Sequence, residues 1–553
     1  MITPKLNAQE EIQDEYDRIG LTVLFYTYGG KFENKLEEAM KDIPFPDKFY
    51  ENKLKECVIS LPGSKEKKEQ SLGQEDRMKR TDIAREYLSE HDIGRKMVEQ
   101  WYNFDPEQGF DLSIIFERAE YNATDEEIIV SEGSKRGRAR IRDYGHKLVS
   151  NSYVAIVDLR DLKKETEREK DYASVSYSSD MGLYIFKLKF GEEQINELFD
   201  VWIFDEDSPE EKEQKLARFK EMDFPLELVY SKPDWILPTG TASYGGLDGL
   251  TGKKLDMSVL DKEAFEKFYN EIFDKMMFHA SKHIQDFTVR KKVTDVRPIE
   301  AKIGLKESLK TDDQYFVYEY VWDEQLKEAV PKRKAVLRVR KVADNRNEDR
   351  SAESSFYQTY GGTVREGMLV KEHPNVGLAL NVGYEMDGLG GFGIGLRYRI
   401  GRYIDIPALY LITGFSGTSE DYGHIDKKDF DYLSKFEEDQ VFFMRYDLGF
   451  GKGFRIARFI ELMPFAAGGY NQTESDQDGN KYASFYYKAG LTAAVNVLYN
   501  LQLYGSLNYY GLGDVSKIDG DDIDTDEDAL KWADEFPGQE GGTGIQFGLS
   551  YEF

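Results

Sequence analysis

The sequence predicts a multidomain chain: an N-terminal α/β or α+β domain, a small β domain, and a C-terminal eight-stranded antiparallel transmembrane β-barrel. Three observations predict it. From about Pro374 the chain alternates apolar and polar residues in runs of about ten, the length of a tilted strand that crosses a bilayer. The connections between these runs alternate short and long. Upstream, helical and strand-like stretches interleave, as in mixed α and β domains.

The barrel strands are read from period two, because successive side chains of a strand point to opposite faces. In the final run Ile545, Phe547, Leu549, Tyr551 and Phe553 share one face, with Gln546, Gly548, Ser550 and Glu552 on the other. Leu501, Leu503, Leu507 and Tyr509 alternate with Gln502, Tyr504, Ser506 and Asn508. Phe485 to Val497 alternates with Ser484, Lys488, Thr492 and Asn496, and Phe442 to Phe450 with Arg445, Asp447 and Gly449. Phe392 to Ile400 alternates with Gly393, Gly395, Arg397 and Arg399, and Val376 to Tyr384 with Gly377, Ala379, Asn381 and Glu385. Two weaker strands fall near Ile404–Phe415 and Phe459–Tyr470, where Pro407 and Pro464 cannot donate to a ladder.

Short turns are expected near Gly401-Arg402, Lys452–Arg455 and Tyr499-Asn500, and long polar loops at Ser416–Lys435, Glu474–Lys481 and Asp514–Glu540. The hairpin Met386–Gly390 is short where a long loop belongs. Transmembrane barrels put short turns on one side of the membrane and long loops on the other. A soluble barrel would turn its apolar face inward. Here the inward set is Arg397, Arg399, Arg445, Asp447, Glu461, Lys488 and Glu552, charges that suit a small plugged lumen and not an apolar cup.

The terminal strand, with Phe547, Leu549, Tyr551 and Phe553 on its apolar face, resembles the last strand of bacterial outer-membrane β-barrel proteins. The acidic, Tyr-rich style resembles those of Bacteroidota. The resemblance covers about a third of the chain. It implies residence in the outer membrane, a lipid partner, recognition of the last strand by the barrel-assembly machinery, and residues 20–371 in the periplasm.

Composition narrows the rest. The formal charge of −29, from 74 basic and 103 acidic residues, disfavours nucleic acid, which needs clustered Lys and Arg. Tyr (36), Phe (34) and Gly (48) are abundant while Trp is limited to five, the usage of lipid-facing strands and tight turns. Cys57 is the sole cysteine, so no intrachain disulfide is expected; its apolar neighbours predict a buried thiol. No apolar run of about 18 residues occurs, so no transmembrane helix is predicted. Residues 1–19 read as an N-terminal tail or signal remnant, with processing near Ala8.

Residues 20–255 read as a periplasmic α/β domain: strands at Leu21–Tyr28, Leu112–Phe116, Tyr153–Leu159 and Gly182–Phe190, helices at Lys31–Lys41, Arg77–Trp101, Asp125–Val149 and Gly191–Trp202. The mixture resembles periplasmic domains of the curli-secretion and penicillin-binding-protein-activator type. Residues 256–371 read as a helix (259–284) plus a small SH3-like β domain with strands Tyr315–Trp322, Arg333–Val342 and Val364–Lys371 and a polar insert, Asp344–Ser355. Residues 372–553 are the barrel.

No motif carries catalysis. His279 and His283 share a helix face at zinc-holding spacing, without a third ligand, which leaves a solvated face. Gly252-Lys253 lacks the Gly at 247 and the Ser or Thr at 254 that a phosphate loop needs. Asp522, Asp524 and Asp526 resemble the start of a weak calcium loop, but Glu527 and Ala533 stand where Gly and Glu belong. His424, with Asp421 and Asp426 nearby in sequence, offers a rim site for an enzyme acting on lipid or peptide. No cofactor and no resident metal are expected. An eight-stranded barrel is filled by its own side chains, so the reading is a non-enzymatic anchor that presents a periplasmic module to an envelope complex, such as a secretion or barrel-assembly accessory subunit. The alternatives are a peptidoglycan tether and a rim enzyme.

Overall fold

The computed structural model describes residues 18–28, 32–60, 74–122, 146–169, 172–204, 207–245, 255–346, 352–477, 479–519, 522–524 and 530–553, together with Tyr16. Two compact units divide the chain, one essentially up to Val289 and the other from Arg290 to Phe553.

The first unit is built on a seven-stranded mixed sheet. Its interior strand β1 (Ile19–Thr27) is buried along its whole length. A strand covered on both faces needs apolar side chains at nearly every position. Ile19, Leu21, Val23 and Phe25 enter one core, Leu24 and Tyr26 the other. Strands β2 (Phe49–Glu51), β3 (Val58–Ser60) and β4 (Ser152–Arg168) run parallel to β1. β5 (Ala173–Leu188) is antiparallel to β4, and β6 (Leu226–Ile236) and β7 (Thr239–Tyr244) pair with β5. Helices Gln74–Glu90, Ile93–Trp101, Glu192–Asp200 and Pro209–Glu221 cover one face, through residues such as Leu88, Met97, Leu198 and Phe219. Cys57 is buried, as expected.

The other face is covered by the helix Met257–His283, whose Leu260, Ala264, Phe268, Ile272 and Met276 recur at helical spacing. Asp256 caps it, its Oδ1 accepting the Ser258 N–H at 2.9 Å. This corrects the boundary read from sequence, which assigned the helix to the 256–371 segment. The helix belongs to the first sheet because β7 offers it Gly240: a Cβ there would stand 2.1 Å from the Phe268 nitrogen. The helix read at Asp125–Val149 and the glycine stretch at 252–253 lie largely or wholly outside the described residues.

The second unit begins with a small closed barrel: β8 (Arg290–Val296), β9 (Ile299–Ala301), β10 (Gln314–Asp323), β11 (Glu328–Lys341), β12 (Ser354–Gly361) and β13 (Leu369–Glu372), in the ring order β10-β11-β12-β9-β8-β13. Sequence periodicity finds β10 and β11 and misses three others. β8 and β9 precede its first strand, and β12 starts within the stretch read as a polar insert. The strand read at Val364–Lys371 shortens to β13. These strands are short and share their buried face among Val293, Tyr315, Leu337, Phe356 and Val370, so no single run carries a clear alternation.

The eight-stranded ring follows: β14 (Leu378–Asp387), β15 (Gly391–Arg399), β16 (Leu409–Asp421), β17 (Gln440–Lys452), then β19 (Ile460–Glu474) after the short β18 (Phe454–Ala457), β20 (Lys481–Asn496), β21 (Leu501–Leu512) and, after a β22 (Ser516–Asp519)–β23 (Asp522–Asp524) ribbon, β24 (Gly542–Glu552). All neighbours are antiparallel, and β24 closes the ring by pairing with both β14 and β21. Pro407 precedes β16. Pro464 lies inside β19, where the β17 ladder has ended at Gly451↔Phe465 and β18 begins at Phe454↔Leu462. On that side Pro464 has no paired strand residue, while on the other it stays in register with Leu491 of β20.

The turn end of the barrel carries the connections 400–408, 453–459 and 497–500 and adjoins the small barrel. The loop end differs from the solubilising loops expected. Tyr422, Leu433, Phe436, Phe443, Tyr482, Trp532 and Phe536, from three connections and their strands, bury one another in a common core. The long loops fold together as a cap.

Candidate functional site: a barrel filled from end to end

Side chains from alternate positions of every strand meet inside the ring in three layers. At the loop end Arg445 is decisive. Its Nη1 donates to the Leu389 carbonyl at 2.6 Å, its Nη2 to the Gly390 carbonyl, and its Nε to Ser416 Oγ at 3.0 Å. These bonds draw the first hairpin inward, and Leu389 is buried against Tyr486 and Tyr510. The hairpin is short because it folds into the lumen. Gly391 permits the bend, with φ +101° and the Gly417 carbonyl 2.2 Å from where a Cβ would stand. Asp447 accepts from Tyr486 OH at 2.8 Å. Glu385 accepts from Asn508 Nδ2 at 2.7 Å and Tyr510 OH at 2.5 Å.

The middle layer holds a cavity of about 100 Å³, with Asn381, Lys488, Thr492, Ser506 and Gln546 on its wall. The Lys488 ammonium lies 5.3 Å from the Tyr510 ring centre and 5.7 Å from that of Phe465.

The turn-end layer joins the ring to the small barrel. Arg397 donates to Gln502 Oε1 at 2.6 Å and stands 4.8 Å over the Tyr410 ring. Glu461 pairs with Arg455 at 2.8 Å and accepts from Tyr410 OH at 3.1 Å. Glu552 Oε1 accepts from Arg399 Nε at 2.8 Å and from Arg338 Nη2 at 2.6 Å. Arg338 belongs to β11 of the small barrel. Asp312, in the loop before β10, completes the group. Its carboxylate accepts the Ala408 N–H at 2.8 Å and Tyr357 OH at 2.7 Å, and stands 3.9 Å from Arg399. The two guanidiniums and two carboxylates balance in charge. They are almost wholly removed from water: both arginines are 1% exposed, Asp312 0% and Glu552 11%. Asn496 Nδ2 donates to the Thr359 carbonyl at 2.5 Å, fastening β12 to the same mouth.

The inward set read from sequence thus meets inside the ring. Sequence parity also marked Glu385 as inward but did not give it a role. Asp312 and Arg338 carried no signal, since one lies in a turn and the other in a strand of a different barrel. The other candidates separate. His279 and His283 both lie against the Tyr230 ring, at 6.5 and 5.1 Å between ring centres. Burial, then Lys232, pushes the His279 imidazole down to about 4. No cluster of three metal-ligating side chains occurs among the described residues. Asp421 accepts the Gly423 N–H at 2.9 Å and Asp426 the Lys428 N–H at 3.2 Å, so both cap their own turns beside an exposed His424. The Asp526 of the proposed calcium loop, and the side chains of Asp522 and Asp524, lie outside the described residues.

The outward face is the reverse. Phe392, Ile394, Leu396, Phe442, Leu448, Phe450, Leu491, Leu503, Leu507, Phe547, Leu549 and Tyr551 are all exposed. They form a girdle around the whole ring, well beyond the apolar patch of roughly 300–600 Å² that a soluble monomer carries. A closed antiparallel ring leaves no unpaired edge and needs only lipid around it. The ring is an outer-membrane β-barrel.

Parts of the chain are similar to solved structures of outer membrane proteins. The chain is similar to a major outer membrane protein from Thermus thermophilus, with 15% identity over 32% of this chain and 98% of that one and a TM-score of 0.23. It is similar to the Yersinia pestis outer membrane protein Ail at 19% identity, over 32% and 98% of the two chains, with a TM-score of 0.17. Similarity to the outer membrane protease OmpT from Escherichia coli spans 44% and 94% of the two chains at 11% identity and a TM-score of 0.16. Neither a protein-family profile nor a curated protein matches the sequence.

Proposed function

We propose that this outer-membrane protein is a non-enzymatic anchor whose barrel holds a periplasmic module and presents it to an envelope complex. The observation that carries the reading is the filled lumen. Arg445 with Leu389 closes one end, the Asp312–Arg338–Arg399–Glu552 group closes the other, and the cavity between is about 100 Å³. Among the described residues side chains occupy both ends of the lumen, and most of its ionisable groups are hydrogen-bonded or paired. Even-stranded barrels keep both ends and their short turns on the periplasmic side. On this reading the small barrel and the first unit stand in the periplasm.

The first unit offers a surface suited to a partner protein. Trp235, near the end of β6, is 62% exposed and holds a φ of +68°, and Leu237, just after that strand, is 61% exposed. A bulky residue in the left-handed region costs of order 1–2 kcal/mol, and an exposed Trp is a frequent interface anchor. Extraction of native membranes in mild detergent, followed by mass spectrometry, tests the reading. A stoichiometric envelope partner that is lost in Trp235→Ser supports it. A solitary chain in every detergent overturns it.

A further inference from the structure

β10 outgrows the small barrel. It pairs with β13 only over Tyr315–Tyr318. Beyond that point it pairs with β11 alone, as far as Asp323↔Glu328. A two-stranded ribbon therefore stands clear of the barrel wall, and such a ribbon is marginal in water unless something covers it. Period two places Phe316, Tyr318, Tyr320 and Trp322 on one face of β10. The first is buried at 8% exposure, and the stripe then opens to 36% at Tyr320 and 63% at Trp322. At about 3.3 Å per residue the stripe is roughly 20 Å long.

Its buried end fixes where it starts. The Phe316 ring meets Tyr499 edge-on at 5.4 Å, and the Arg333 guanidinium lies 4.9 Å from the first ring and 4.6 Å from the second. Tyr499 is in the turn between β20 and β21, directly after the exposed, lipid-facing Val495, Val497 and Leu498. The stripe is therefore continuous with the girdle of the membrane barrel. Tyr and Trp are the side chains of membrane–water interfaces, apolar in body and polar at one tip. At the tip of the ribbon Leu326 is also exposed. Asp323 turns its carboxylate onto the Gln325 and Leu326 N–H groups, at 2.8 and 3.0 Å. Glu324, Lys327 and Glu328 make the tip itself charged.

We propose that the β10–β11 ribbon is a second lipid anchor, with its aromatic stripe seated in the interfacial zone of the phospholipid leaflet at the turn end of the barrel. This rests on the membrane reading of the ring. The anchor steadies the small barrel from the side while the charged group steadies it from above.

The test uses the full chain in phosphatidylcholine–phosphatidylglycerol liposomes, with and without brominated acyl chains. The difference in emission between wild type and Trp322→Phe isolates Trp322 from the other four tryptophans. A second probe, a nitrobenzoxadiazole dye on Leu503→Cys in a Cys57→Ser background, reports the girdle. The expected result is blue-shifted Trp322 emission that loses most of its intensity to bromine, with the girdle dye quenched as well. A quenched girdle dye beside solvent-like, unquenched Trp322 emission overturns the ribbon anchor and leaves the barrel in the membrane. Loss of quenching at both probes overturns the membrane reading itself. Trp322 emission that shifts only in native outer-membrane vesicles identifies a protein cover and also overturns the lipid anchor.

Discussion

Glu552→Gln removes one charge from the joint between the two barrels and almost no volume. In the native protein Glu552 Oε1 stands 2.6 Å from Arg338 and 2.8 Å from Arg399, both of them 1% exposed. The remaining carboxylate, Asp312, is 3.9 Å from Arg399 and already accepts from Ala408 and Tyr357. After the substitution two buried cations face one anion. Breaking a buried pair by removing one partner costs about 3–5 kcal/mol. The glutamine still offers an acceptor, so the lower end, about 3 kcal/mol, applies. At about 1.4 kcal/mol per decade that opens the joint roughly a hundredfold more often. Limited proteolysis of the small barrel in liposomes reads the opening, and urea titration with gel-mobility detection reads the ring. Arg338→Met added to Glu552→Gln removes the surplus cation and recovers much of the loss, giving a coupling energy in a double-mutant cycle. A cost under about 1 kcal/mol for Glu552→Gln, or no coupling, refutes the account of the joint.

Trp532→Ala empties the core of the loop-end cap, where Trp532 and Phe536 are fully buried. Local stability falls by about 3–5 kcal/mol, and surface protease cuts the loops while the ring keeps its gel mobility. The first unit loses stability in mild acid. His279 is held neutral in the fold, with its imidazole pushed down to about 4, against about 6.5 in the unfolded chain. Its contribution is complete above about pH 6.5 and disappears as the pH falls toward 4, because the unfolded state takes up the proton first. Urea unfolding at several pH values, followed through the buried Trp101, shows that slope, and His279→Asn flattens it.

The membrane strands were the most legible part of the chain, and the reason is physical. Lipid outside and a polar lumen inside force strict alternation, so β17, β20, β21 and β24 declare both faces. The inward charges follow from the same parity. The small barrel was harder to read because β8, β9 and β12 are short and leave each run too few residues to show a period. The Met257–His283 helix was visible as a helix, but its address was not, since that depends on Gly240 in a strand of the first unit. The cap was read as loops because its apolar residues are scattered through acidic connections and converge only in three dimensions. Asp312 could not be foreseen as part of the joint, because nothing local distinguishes a turn aspartate that caps its own backbone from one that reaches into another barrel.

Glu552 sits on β24, the strand that makes the ring continuous. Only with β24 paired to β14 and β21 does the Glu552 carboxylate stand where Arg338 and Arg399 both reach it. Docking of the small barrel is thereby linked to closure of the ring through one side chain. A one-residue slip of β24 would turn Glu552 to the lipid face and leave the two arginines with Asp312 alone. The full charge balance of the joint therefore exists only in a ring closed in the correct register.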